Sequence, residues 1–237
     1  MSSPGEDVSQ FGISKEEKDK LVAEVIRYML FKTHQNSGCP IRRDELTQIV
    51  TSNYRQRSLS ALIINEAKEK LSAIFGFDMR ELQRSRLASA NQSHACSQQS
   101  AADAKSYVLV SQLPPEVHEK YVEDANTAHM NGFAFSIISI VHLNGDNIPE
   151  EDLWRHLRQM GLSESDQNHP VVGNIKHALE TLVQQRYLQK VKVNSTEGNT
   201  LAYELAERAL DGTVKEKIKQ HISQIVRKDV STVEVES

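Results

Sequence analysis

The feature that most constrains the fold is an order of predicted helices and strands that occurs twice along the 237 residues. In the first half, apolar residues at helical spacing predict helices over 16–33 and 59–75, with a shorter helix around Leu46 between them. Alternating apolar residues then predict strands over 75–82 and 106–113. The order is therefore helix, short strand, helix, helix, strand, strand.

The second half repeats this order. Residues 131–143, 150–160 and 171–187 have the periodicity of helices, and 187–193 and 201–206 alternate as the two strands of a hairpin. In both halves a proline beside an isoleucine opens the second helix. Three helices beside a β-hairpin form a winged helix, so the repeat predicts a mainly α fold with small β-hairpins, in which two winged helices follow one another.

The composition along the chain predicts where these two domains begin and end. Segment 83–105 has almost no large apolar side chain, which favours a flexible insertion in the first wing. The predicted organisation is a disordered N-terminus at 1–15, a first winged helix at 16–113, a linker at 114–130, a second winged helix at 131–228 that includes a last helix at about 213–227, and a disordered acidic tail at 229–237.

The only tryptophan lies on the second helix of the second half. Acidic residues at 150–152 favour a helix start there, and Leu153, Trp154 and Leu157 form one apolar stripe. A helix of three turns is not stable alone in water and must pack against a core. We therefore predict that Trp154 is a core residue, with stacking on a ligand as the alternative.

Composition and motifs indicate the class of protein. Cys39 and Cys96 lie far apart with no disulfide or zinc spacing, which is typical of a reducing compartment. The N-terminus is unlike a signal peptide, and the longest apolar run, 133–141, is too short to span a bilayer. These features predict a soluble intracellular protein.

The motifs of common active sites are missing from the sequence. It contains no phosphate-binding glycine loop and no nucleophile or zinc-protease motif. The nine histidines are scattered along the chain and form no cluster of metal-ligand spacing. We therefore predict a protein that is not an enzyme and uses no cofactor, metal ion or small-molecule substrate.

Five segments carry a resemblance to a known family, and together they lie within residues 18–228. The most specific is 131–162, where a glycine, an apolar helix, an acidic helix start, a tryptophan and Met-Gly-Leu follow one another. These segments resemble the melanoma-antigen (MAGE) homology domain, whose known fold is two winged helices in tandem. They are "FGFDMREL", "YVLVSQL", "NGFAFSIISIVHLNGDNIPEEDLWRHLRQMGL", "HPVVGNIKHALETLVQQRYLQ" and "YELAERA".

Within that family the chain is most similar to the ancestral branch, non-SMC element three of the SMC five-six complex. Its flanking segments are short, and "AYELAERAL" (202–210) differs from the Trp-Gly-Pro-Arg-Ala ending common in animal members, which suggests a distant, plant-like eukaryotic lineage. The resemblance implies a nuclear, chromatin-associated subunit that bridges a RING-type ubiquitin ligase subunit and a kleisin subunit in DNA repair and recombination. A free-standing MAGE-type regulator of a RING ligase and a winged-helix transcription regulator are the alternatives.

Charge predicts where DNA would bind. The net charge of −4 argues against a general nucleic-acid coat, but from Val171 to Lys228 ten basic residues stand against six acidic ones. Lys176, Arg186, Lys190 and Lys192 lie in the third helix and wing of the second winged helix, the elements that meet DNA in many winged helices. The third helix has few side chains suited to base edges, so we expect non-specific contact with phosphates of double-stranded DNA. An ordinary solvated surface is the alternative.

Two apolar surfaces are predicted to bind protein partners. The first helix is apolar over more than one stripe, and packing against the second winged helix is one explanation. In the MAGE family two adjacent leucines of this helix contact a RING-type subunit, and Met29 and Leu30 stand at those positions here. For the kleisin, Phe133, Phe135 and Ile137 are candidates, with core packing as the alternative.

Overall fold

The computed structural model divides the chain into two compact units, Met1–Val117 (unit 1) and His118–Ser237 (unit 2). The predicted disordered N-terminus and tail and the predicted wing insertion fall almost entirely outside the described part of the chain. The described residues are 12–52, 54, 57–82, 105–122, 125–195, 198–212, 214–220 and 222–223.

The described residues of unit 1 form three helices and a three-stranded antiparallel sheet in which β3 is the central strand. A further helix, α4, contains the division between the units. The elements in chain order are α1 (Lys15–Gln35), β1 (Ile41–Arg42), α2 (Arg43–Thr51), α3 (Arg57–Phe75), β2 (Phe77–Leu82), β3 (Ser106–Ser111) and α4 (Pro115–Tyr121).

Unit 2 repeats the order and the sheet topology, with β6 as the central strand. Residues 214–220 are helical and follow the sheet, within the range predicted for the last helix. The prediction of two winged helices in tandem is therefore confirmed. The elements are α5 (Ala125–Leu143), β4 (Asn147–Pro149), α6 (Glu150–Gln159), α7 (Ile175–Gln184), β5 (Leu188–Ser195) and β6 (Gly198–Leu205).

The proline–isoleucine positions have the same structural role in both units. Ile41 pairs with Tyr107 of β3, and Ile148 pairs with Tyr203 of β6. All four side chains are buried, although β1 and β4 are only two and three residues long. Each short strand therefore joins the start of the second helix to the centre of the sheet through one buried isoleucine–tyrosine pair.

Each unit has its own apolar core. The helix α1 begins with a capping box, in which the Ser14 side chain accepts from the backbone N–H of Glu17 and the Glu17 carboxylate accepts from that of Ser14. In unit 2, Trp154 is 6% exposed within the core, so its prediction as a core residue is confirmed. The core residues of α1 are Leu21, Val22, Val25, Ile26 and Met29.

Three predicted helix ends were wrong, the start of α5 and both ends of α7. The helix α5 begins at Ala125, before the predicted residue 131. The helix α7 is shorter than the predicted 171–187, because Gly173 has a left-handed φ of 75° and the Asn174 side chain then caps the helix. At its other end Arg186 has φ 64°, a conformation that ends an α-helix and is more common for glycine.

Four charged side chains join α1 to α3 in unit 1. Lys18 and Lys70 each approach a different oxygen of the Glu66 carboxylate, at 2.9 and 3.2 Å, and Lys70 also lies 3.1 Å from Asp19. Burial raises the pKa of Glu66, but hydrogen bonds from Lys18 and Lys70 outweigh it and hold the pKa below its ordinary value. The ionised form of Glu66 therefore stabilises the fold.

Replacing Glu66 by glutamine should lower the free energy of unfolding by about 1–2 kcal/mol at pH 7, because two lysines lose a shared, half-buried carboxylate. A lowered carboxyl pKa gives stability that is present above the unfolded-state pKa and lost as the pH falls through the folded-state pKa. Urea unfolding should therefore show a smaller difference between wild type and Glu66→Gln at pH 3 than at pH 7.

The matched control is Glu69→Gln, which removes an exposed carboxylate from the same helix. We expect it to change stability by less than about 0.5 kcal/mol at either pH. Equal effects of the two substitutions at pH 7 would contradict the stabilising role of the Glu66 pairs.

Candidate functional site

The four residues predicted to bind DNA all lie in one part of unit 2, and we call them the basic patch: Lys176, Arg186, Lys190 and Lys192. Lys176 is in the first turn of α7, Arg186 follows the end of that helix, and the other two lie on β5. Lys176 and Lys190 are close enough for the charge of one to act on the pKa of the other. These cations differ in how far they are already paired.

Lys190 is held by a cluster at the start of α6. Its Nζ lies 3.2 Å from Glu150 Oε1 and 5.0 Å from the centre of the Tyr203 ring, and Tyr203 Oη donates to the same carboxylate oxygen at 3.3 Å. Burial opposes the charge on Lys190, but hydrogen bonds to Tyr203 and Glu150 outweigh it and raise its pKa. Lys190 thus connects the edge strand β5 to α6.

Arg186 is also used inside the unit. Its Nη2 donates to Glu207 Oε1 at 2.7 Å, and the Glu207 side chain is only 10% exposed. Arg208, which the sequence pattern did not single out, stands over the ring of Tyr187 at 4.4 Å and donates to the Gln185 carbonyl. The segment after α7 is therefore held by arginine contacts that have a structural role.

Lys176 and Lys192 are the more accessible members of the basic patch. Lys176 is paired with Glu164 at 2.8 Å, and the hydrogen bond and charge of Glu164 raise its pKa. Both side chains of that pair are about half exposed, so the pair contributes little to stability. Lys192 is exposed opposite Leu201, and its side chain makes no hydrogen bond or ion pair with any residue that the structure describes.

The two residues predicted to contact a RING-type partner lie on different sides of α1, because the helix turns between them. Met29 is fully buried in the core of unit 1, which corrects its assignment to an accessible surface. Leu30 is half-buried at the edge of that core, and the next residue, Phe31, is 62% exposed. The number of apolar residues in α1 indicated that they cannot all enter the core, and the structure agrees. Leu30, at the edge of the core, and Phe31 form the apolar surface that remains on this helix.

The predicted kleisin contacts lie mostly inside unit 2. Phe133 is 6% exposed and Ile137 is fully buried, so neither offers its side chain to a partner in this conformation. Phe135 is half-buried and packs against the edge of the same core. Of the three residues, only Phe135 reaches the surface.

The described residues contain no group of three histidine, cysteine, aspartate or glutamate side chains placed to hold a metal ion. In the same ranges no helix has the length and apolar character needed to cross a membrane.

Comparison with known proteins gives one family model and several relatives. The model of the MAGE homology domain matches residues 25–216. Human melanoma-associated antigen E1 is 27% identical over 233 residues, which are 97% of this chain but 22% of that protein. The mouse non-structural maintenance of chromosomes element 3 homolog is 23% identical over 209 residues, 88% of this chain and 67% of that protein.

A solved structure has the same fold. A chain of the Nse1-Nse3-Nse4 complex superposes with a TM-score of 0.72 at 23% sequence identity. The match covers 91% of this chain and 93% of that chain. Both winged helices therefore have counterparts in that structure.

The Lys190 cluster generates a test of stability. Lys190→Ala should lower the free energy of unfolding by about 1 kcal/mol, because Glu150 and Tyr203 lose a cation whose contacts are partly screened by solvent, the Lys190 side chain being 38% exposed. Lys192→Ala is the matched control on the same strand and should change it by less than about 0.5 kcal/mol. Urea unfolding monitored by Trp154 fluorescence measures both, and equal effects would contradict a structural role for Lys190.

Proposed function

This chain belongs to the MAGE homology domain family, and from that membership we propose that it is a non-catalytic subunit of an SMC five-six genome-maintenance complex. In that complex it bridges a RING-type ubiquitin ligase subunit and a kleisin subunit, and it contributes non-specific contact with DNA during repair and recombination. This function places the protein in the nucleus, on chromatin.

One observation carries the proposal. The structural match is to a chain of an assembly named for Nse1, Nse3 and Nse4, and it covers nearly the whole of both chains. The non-structural maintenance of chromosomes element 3 homologs of mouse and human support the same branch of the family, at 23% and 20% identity. The RING-type and kleisin partners are those that the family resemblance implies for this branch.

A second candidate is a free-standing MAGE-type regulator of a RING ubiquitin ligase. It is favoured by the match to melanoma-associated antigen E1, which extends over 97% of this chain. The chain spans only 22% of the length of that relative, so the activity of the whole relative is not transferred to this chain. This candidate predicts binding of a RING subunit without binding of a kleisin.

For DNA contact we propose that Lys176 and Lys192 bind phosphates directly. Lys190 and Arg186 are already paired with carboxylates, so a phosphate must compete with Glu150 and Glu207 for them. Exposed lysines give binding that is sensitive to salt and indifferent to sequence.

Co-expression with the RING and kleisin subunits of the same organism tests the bridging role. Size-exclusion chromatography with light scattering should give a stable one-to-one-to-one complex. Leu30→Asp should abolish RING binding and leave kleisin binding, because it places a charge in the apolar surface of α1. Ala23→Asp, at an exposed position two turns earlier, should retain both partners.

Retained kleisin binding also serves as the folding control for Leu30→Asp. A complex with the RING subunit alone would favour the second candidate. A monomer that binds neither partner would contradict the proposed function.

Fluorescence anisotropy with two duplexes of unrelated sequence tests the DNA contact. The double variant Lys176→Ala/Lys192→Ala should weaken binding to both duplexes equally and reduce the slope of log affinity against log salt by about 1.8, the value for two phosphate contacts. The control Lys20→Ala/Lys68→Ala removes two exposed lysines from unit 1. Unchanged affinity and slope in the first variant would refute the assignment.

A further inference from the structure

A groove on unit 1 lies outside the surfaces assigned above. It runs between the second half of α1 and helix α2, and its volume is about 490 Å³. Binding pockets for small ligands and peptide side chains fall in the same range of volumes. We call it the α1–α2 groove, and its main lining residues are Tyr28, Lys32, Asn36, Arg42, Gln48 and Ile49.

One wall of the groove is a straight stripe along α1. Tyr28 and Lys32 are spaced four residues apart and lie above one another on one face of α1, and Asn36, the residue that follows the helix, continues the line. At 1.5 Å per residue this stripe is about 12 Å long. That length accommodates about four residues of an extended chain.

The only acidic residue in the lining is already compensated. Glu45 accepts the hydroxyl of Tyr28 at 2.7 Å, and it accepts the backbone N–H and Nε of Arg42 at 3.2 and 3.4 Å. Burial raises the pKa of Glu45, but these hydrogen bonds, that from Tyr28 first, outweigh it and lower the pKa. Glu45 is therefore a fixed, ionised part of the wall.

Lys32 is the cation that this wall leaves uncompensated. Its side chain is half-buried, and it makes no hydrogen bond or ion pair with any residue in the described part of the chain. Removing an ammonium group from water without an anion is unfavourable. The groove therefore favours a ligand that brings a negative charge to Lys32.

The remaining lining residues indicate what carries that charge. Asn36 and Gln48 present side-chain amides from the two walls, and such groups pair with the donors and acceptors of a peptide backbone. Ile49 provides an apolar contact in α2. We propose that the α1–α2 groove binds a short extended segment of another protein in which an aspartate or glutamate, received by Lys32, stands beside an aliphatic residue.

This site is separate from the surface proposed for a RING-type subunit. Leu30 lies two residues from both Tyr28 and Lys32, which is about 200° around the helix. Leu30 and the groove therefore lie on opposite flanks of the core face of α1. A peptide in the groove leaves Leu30 accessible, and the site goes beyond the proposed function.

Nuclear magnetic resonance of the ¹⁵N-labelled full chain, titrated with the peptide acetyl-Asp-Leu-Glu-Leu-amide, tests the proposal. Amide shifts should change along 28–36 and 42–52, and the isosteric peptide acetyl-Asn-Leu-Gln-Leu-amide should bind at least tenfold more weakly. Lys32→Gln should weaken the acidic peptide by about tenfold. The matched control Lys68→Gln, on the exposed face of α3, should not change its affinity.

Substitutions of Gln48, whose side chain is exposed, should change the affinity for the acidic peptide in both directions. Gln48→Lys should strengthen binding of the acidic peptide and Gln48→Glu should weaken it. The proposal is overturned by equal binding of the two peptides, or by equal losses in Lys32→Gln and Lys68→Gln. It is also overturned if inorganic phosphate at the same concentration reproduces the shifts, since the site would then recognise any anion.

Discussion

Both units depend on one pairing, between a buried isoleucine before the second helix and a buried tyrosine on the central strand. The strands β1 and β4 are too short to be stable alone, and the apolar contact between these side chains holds them in the sheet. The second helix of each unit starts two residues after the paired isoleucine, so the pairing fixes where the helix begins relative to the sheet. The core lies between a helix and a sheet whose relative positions this pairing sets.

In unit 2, some basic side chains that the sequence predicts to be at the surface make contacts that stabilise the fold. Lys190 and Lys192 are two residues apart, so they share one side of β5. Tyr203 lies on the same side of the neighbouring strand, opposite Lys190. Lys190 is therefore paired with Glu150, a carboxylate at the start of α6 that is distant along the chain. Lys192 lies opposite Leu201 and has no such partner among the described residues.

The repeated order of elements made the fold predictable from the sequence. The buried face of each helix or strand gives its apolar residues a regular spacing, and each core needs the same three helices and hairpin. The limits of α7 were not predictable in the same way, since Arg186 adopts a left-handed conformation without the glycine that marks it. The burial of Met29, in contrast, follows from its spacing, since Val22, Val25, Ile26 and Met29 stand at i, i+3, i+4 and i+7 on one face of α1. Its assignment to a partner surface came from the family resemblance and not from this periodicity.

The isoleucine–tyrosine pairing also sets an order of events during synthesis. Ile41 leaves the ribosome long before Tyr107, and Ile148 long before Tyr203, so neither sheet can close until its central strand has emerged. The two pairings close chain segments of similar length, and the entropic cost of closure differs by only about 0.2 kcal/mol. Local helices can form while the ribosome is still adding the wing, but each nascent core keeps an exposed isoleucine until the hairpin arrives. Closure of each sheet therefore depends on a long-range strand pairing, in a protein whose secondary structure is mostly helical.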